Sequence, residues 1–107
     1  MTFEELKKRA YHNRLIPADL NETERLQYIA ARRIYAGYRS GEIDRTEAEP
    51  MLGKVQEYPC LVAADKRALL RYIFALLCED AGYGDREALE NSKFVARMQR
   101  AVKQNET

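Results

Sequence analysis

Histidine occurs once, cysteine twice, proline three times and glycine five times in this chain of 107 residues. One His and two Cys fall short of a four-ligand zinc site unless carboxylates complete it. The scarcity of Gly and Pro leaves few helix breakers and leans the composition toward helix. Phosphate-binding and dinucleotide glycine loops, His-Glu-x-x-His and Gly-x-Ser-x-Gly are all missing, so no catalytic residue, metal or cofactor is assigned and the chain is expected not to be an enzyme. An excess of one charge is missing too. Eighteen basic and seventeen acidic residues leave a formal charge of +1, which excludes a polycation that coats nucleic acid and an acidic mimic of it.

Long apolar runs are likewise absent. The nearest, Leu69–Cys78, is interrupted by Arg71 and is far shorter than the ~18 residues needed to cross a bilayer. The segment Met1–Arg9 carries charges where a secretory leader needs an apolar core, so the expectation is a cytoplasmic protein without a membrane partner. Alternating apolar and polar residues rich in Val, Ile and Thr do not occur, and no strand is expected.

What is present is the grammar of helices. Thr2-x-x-Glu5 forms a capping box for a first helix that runs to about Asn13, with Phe3, Leu6 and Ala10 on one face, before a break at Leu15-Ile16-Pro17. Asn21 caps a second helix that extends to about Ser40, with Leu26, Ile29, Ala30 and Ile34 as its core stripe and Gly37 allowing a close approach. Gly41 suits the left-handed position after that helix. Asp44 with Glu47 starts a third, along which Ala48, Met51, Leu52, Val55 and Tyr58 recur and Pro50 lies on the outer side. Pro59 stops it.

Residues 64–81 hold the broadest apolar surface, including Leu69, Leu70, Ile73, Phe74, Leu76 and Leu77. Asp85 caps a last segment to about 103, in which Leu89 opposes the stripe of Phe94, Val95, Met98, Ala101 and Val102, so a break near Asn91-Ser92 is expected. The reading is a single all-α domain of four to five helices around a central helix at about 64–81, with residues 104–107 as a frayed tail. A helix this broadly apolar, if incompletely covered, leads to a homodimer as an alternative means of burial. Cys78, bordering that apolar face, is expected to be a buried, inert thiol, and neither it nor Cys60 is expected in a disulfide.

The candidate chemistry lies on the second helix. At 100° per residue Arg25, Tyr28, Arg32, Tyr35 and Arg39 fall within about 80° of one another, away from the core stripe. Arg and Tyr offer large flat surfaces with polar ends, the types enriched at protein interfaces, and they also stack on unpaired bases. In the alternative, Tyr28 and Tyr35 pack beneath helix one or five and the arginines pair with Glu22, Glu24 or Glu42. A second basic stripe, Lys93, Arg97 and Arg100, is a candidate for phosphate contact, or else ordinary solvated surface. His12 has no identifiable catalytic partner. By region, residues 1–40 carry eight basic and five acidic groups, 41–61 two and five, and 62–107 eight and seven.

Arg32–Ala48, reading Arg-Arg-Ile-Tyr-Ala-Gly-Tyr-Arg-Ser-Gly-Glu-Ile-Asp-Arg-Thr-Glu-Ala, resembles a helix, Gly-x-Ile turn, helix hairpin found in small uncharacterised proteins of phages and prophages of Gram-positive bacteria. The resemblance covers about 17 residues, with Pro50 a departure just beyond it. It implies a mobile-element protein that binds and inhibits or adapts a host protein, such as a defence nuclease or a nucleoprotein complex, in the manner of an anti-CRISPR. The expected function is accordingly a non-catalytic protein-binding module. The alternative is a nucleic-acid-binding protein that uses the Arg/Tyr and Lys/Arg faces.

Overall fold

The computed structural model describes residues 1–12, 16 and 18–104, which form five α-helices and no strand. The chain divides into two compact units, Met1–Pro59 and Cys60–Thr107. The expected end of helix one at Asn13 and the break at Leu15 and Pro17 lie outside the described residues, as does the tail beyond Gln104.

In the first unit, α1 (Phe3–Tyr11), α2 (Glu22–Ser40) and α3 (Arg45–Glu57) begin where side chains satisfy their free N–H groups. Thr2 Oγ1 accepts from the Glu5 amide at 3.2 Å. Asn21 and Glu24 form a complete capping box: the Glu24 amide donates to Asn21 Oδ1 at 2.8 Å and the Asn21 amide to Glu24 Oε1 at 3.2 Å. Asp44 Oδ1 accepts from the Glu47 amide at 3.0 Å and from the Thr46 hydroxyl at 2.6 Å.

Gly41 closes α2 with φ of 80°, a left-handed conformation that a Cβ would strain. The approach over Gly37 is made by the connecting loop rather than by a helix. The Glu42 amide donates to the Gly37 carbonyl at 2.9 Å, and the Glu42 carboxylate pairs with Arg33 at 3.1 Å. A Cβ added at Gly37 would meet Arg33 at 3.3 Å and Ile43 at 3.5 Å.

Burial is most extensive on α2, where every residue from Leu26 to Ala31 is buried. Six consecutive residues turn through more than a full circle, so α2 is enclosed all round at this level. Leu6 and Ala10 of α1 join Tyr28 and Ala31 in one cluster, with Phe3, Ile16, Leu20, Tyr35 and Leu52 packed against it. One residue in the enclosed stretch is polar. Gln27 donates from Nε2 to the carbonyls of Val55 at 3.0 Å and Gln56 at 3.3 Å. Those carbonyls belong to the last turn of α3, where Pro59 ends the chain's ability to continue the helix and Tyr58–Cys60 tightens into a 3₁₀ turn. A side chain twenty-eight residues away thus joins the Tyr58 amide in capping the C-terminal end of α3.

The second unit is a hairpin of α4 (Ala63–Gly82) and α5 (Arg86–Gln104). Complete burial on α4 is confined to Leu69, Leu70, Ile73 and Leu77, with Phe74 and Leu76 half-buried. Cys78 lies one position past Leu77, 100° around the helix, and is exposed, contrary to the expected buried thiol; Cys60 is exposed as well, and both are free.

Asp85 caps α5 by accepting from the Ala88 amide at 3.0 Å. The expected break at Asn91-Ser92 does not occur. α5 is continuous there because Asn91 and Ser92 are themselves buried, and the Ser92 hydroxyl satisfies itself on the Leu89 carbonyl at 2.7 Å without leaving the helix. Leu89 is exposed, as its position opposite the stripe requires.

Replacing Gln27 by Leu keeps the volume, takes away the only side-chain donor described for the Gln56 carbonyl and leaves the Val55 carbonyl with the Tyr58 amide alone. The expected cost is about 1–3 kcal/mol, read as a lower midpoint in thermal denaturation followed by circular dichroism, whereas Gln56→Ala on the exposed side leaves the midpoint within about 0.5 kcal/mol.

Candidate functional site

The five ladder residues of α2 part company in the structure. Tyr28 is fully buried in the cluster with Leu6, Ala10 and Ala31, so this ring belongs to the core. The physical reason is that α1 lies on the tyrosine side of α2, which is the alternative arrangement beneath helix one. Arg25 and Arg32 are half-buried at the margins of that packing. Tyr35, one turn or so beyond the tightest contact, is half-buried, and Arg39, a further turn along, is exposed.

A surface site forms where the end of α1 meets this part of α2. Tyr11, the last residue of α1, is 45% exposed. Its ring stands edge-to-face on Tyr35, with centroids 5.2 Å apart and planes at 89°. The Arg39 guanidinium lies over the Tyr11 ring, 4.6 Å from its centroid. His12 meets the Tyr11 ring edge-on, with centroids 5.4 Å apart. Beside the rings runs an open cleft of about 380 Å³ lined by Glu4, Glu5, Lys7, Lys8, Tyr11 and Tyr35. Burial pushes the Tyr35 phenol above its ordinary value, Lys7 nearby opposes the shift, and Glu4 and Tyr11 add to it. The arrangement offers a pre-ordered aromatic and cationic surface with a rim of both charges.

Sequence reasoning did not find Tyr11. It lies 100° off the Ala10 line on a short helix, and only the crossing of α1 over α2 gives it Tyr35 and Arg39 as neighbours.

In the second unit Lys93, Arg97 and Arg100 are all exposed on α5. Lys93 pairs with Glu90 at 3.3 Å, and Arg97 lies 5.3 Å from the Phe94 ring centroid. Among the described residues no group of three or more His, Cys, Asp or Glu is placed to hold a metal ion, and no helix is long and apolar enough to cross a membrane. No family model, curated protein or solved structure matches the chain.

Tyr58, buried beside the end of α3, also has its phenol pushed up by desolvation. For both phenols the folded chain holds the proton more firmly than the unfolded chain does. Their contribution to stability is therefore complete below the unfolded value near 10 and lost as pH rises through the higher folded values. Stability is expected to fall as pH rises above about 10, and Tyr58→Phe should flatten part of that fall in urea titrations at stepped pH. A fall that Tyr58→Phe and Tyr35→Phe both leave untouched would contradict the assignment.

Proposed function

We propose that the chain is a non-catalytic helical module that binds a protein partner through Tyr11, Tyr35 and Arg39. The observation that carries this reading is the exposed Tyr11 ring held between Tyr35 and the Arg39 guanidinium. Tyrosine and arginine dominate interface hot spots because each presents wide apolar surface and a polar end. Here their mutual contacts fix them beforehand, so less side-chain entropy is lost on binding. The adjoining cleft, with Glu4, Glu5, Lys7 and Lys8, supplies the charged rim that sets orientation. Arg25 and Arg32 share a face of α2 with Tyr35 and Arg39 by helical spacing and are half-buried.

The resemblance of Arg32–Ala48 to phage and prophage hairpins supports a host protein as the partner, a defence nuclease or nucleoprotein complex that the chain inhibits or adapts, as an anti-CRISPR does.

The test is affinity capture from lysate of the encoding organism, before and after nuclease treatment, with wild-type chain, Tyr11→Ala and Arg39→Glu. A protein retained after nuclease treatment should bind each variant more weakly by about 2 kcal/mol, roughly 30-fold in Kd, with circular dichroism unchanged. Equal retention by all three folded chains sinks the proposal.

A further inference from the structure

The α4–α5 hairpin separates its charges along its length. The α4 half that begins at Ala63 carries Lys66, Arg67 and Arg71 against one carboxylate, Asp65. The α5 half that ends at Gln104 carries Arg97, Arg100 and Lys103 against none. Between them, residues 79–90 at the turn hold Glu79, Asp80, Asp85, Glu87 and Glu90 against Arg86 alone. Because the three residues Tyr83–Asp85 join the helices as an antiparallel pair, the two basic halves lie side by side. At their meeting is a groove of about 410 Å³ lined by Ala64, Arg67, Ala68, Arg71 and Lys103.

From this geometry we infer that the open end of the α4–α5 hairpin is a binding site for the phosphate backbone of nucleic acid, independent of the Tyr11 surface. Among the described residues the groove's lining pairs three cations with two alanines and no carboxylate. The alanines, both exposed, let a backbone come close while the longer side chains reach around it. Arg67 and Arg71 are one turn apart, ~6 Å along α4; the exposed Arg71 presents a forked donor, the half-buried Arg67 adds its charge beside it, and Lys103 adds a point charge from the facing helix.

An acidic protein surface would share the charge but not the linear repeat. With no aromatic ring in the lining, the groove suits phosphates rather than stacked bases, so binding is independent of sequence. Arg97 and Arg100, exposed on the same half of α5, extend the track.

The experiment is fluorescence anisotropy of the full chain titrated onto a labelled 20-base-pair duplex and onto a labelled 20-nucleotide dT strand at several salt concentrations. Neutralising three or four phosphates gives a log–log salt slope of about −3 on the duplex, so affinity should fall roughly 40- to 150-fold between 50 and 200 mM salt. A scrambled duplex should bind equally. Arg71→Ala with Lys103→Ala, both on exposed positions, should reduce the slope by about two units, and Arg71→Glu with Lys103→Glu should abolish binding. Arg45→Glu with Lys54→Glu, which makes the same change of net charge on the first unit, should leave affinity within about twofold. Absence of binding at 50 mM salt overturns the proposal. So does an equal loss in both charge-reversed pairs, which would mark a general charge effect. Equal affinity for poly-L-glutamate or for vesicles containing phosphatidylserine would overturn it too, by assigning the site to acidic proteins or to anionic lipid.

Discussion

The side-chain amide of Gln27 donates to the Val55 and Gln56 carbonyls at 3.0 and 3.3 Å from within a fully enclosed stretch of α2. The need is greater on the amide's side. A buried amide without acceptors is expensive, on the order of 1–3 kcal/mol, whereas the Val55 carbonyl also accepts from the Tyr58 amide. Hydrophobic packing alone tolerates sliding of α3 along α2, since it rewards area and not position. The amide does not, because a shift of one residue takes both carbonyls out of range. It therefore sets the register at which α3 lies on α2, and with it the span that the loop over Gly37 has to cover. The Arg33–Glu42 pair and the left-handed Gly41 fit that span.

How much of this was legible in the sequence follows from the range of the interactions. Helix starts depend on residues three apart, and Thr2, Asn21, Asp44 and Asp85 all cap as their spacing indicates. The Gly41 turn is local in the same way. The break expected near Asn91-Ser92 rested on Leu89 opposing the apolar stripe; α5 instead runs on with Leu89 exposed, and Asn91 and Ser92 are buried with the Ser92 hydroxyl donating to the Leu89 carbonyl. Cys78 shows the limit of a broad apolar face, since one position past Leu77 is enough to leave the packed side.

Functional surfaces were less legible, because they arise where helices cross. The Arg/Tyr ladder is a true periodicity of α2, but periodicity does not say which helix lies on it. Once α1 takes the tyrosine side, Tyr28 goes into the core, and the remaining surface acquires Tyr11 from a helix that gave no sign of it. Likewise Arg67 and Arg71 look like ordinary polar positions of an apolar helix until the hairpin sets Lys103 beside them. Residue types were readable; company was not.

The segregation of charge on the α4–α5 hairpin also changes what the near-neutral total means. A helix of twenty residues is ~30 Å long, while mobile ions at physiological strength damp a field over about 8 Å. The acidic turn is then several screening lengths from the far end, and the two antiparallel helix dipoles largely cancel there, leaving the side chains to shape the local potential. An approaching molecule does not experience a protein of charge +1. At the second unit it meets either the acidic turn or the basic open end, and the hairpin's own charge separation favours one orientation as contact is made.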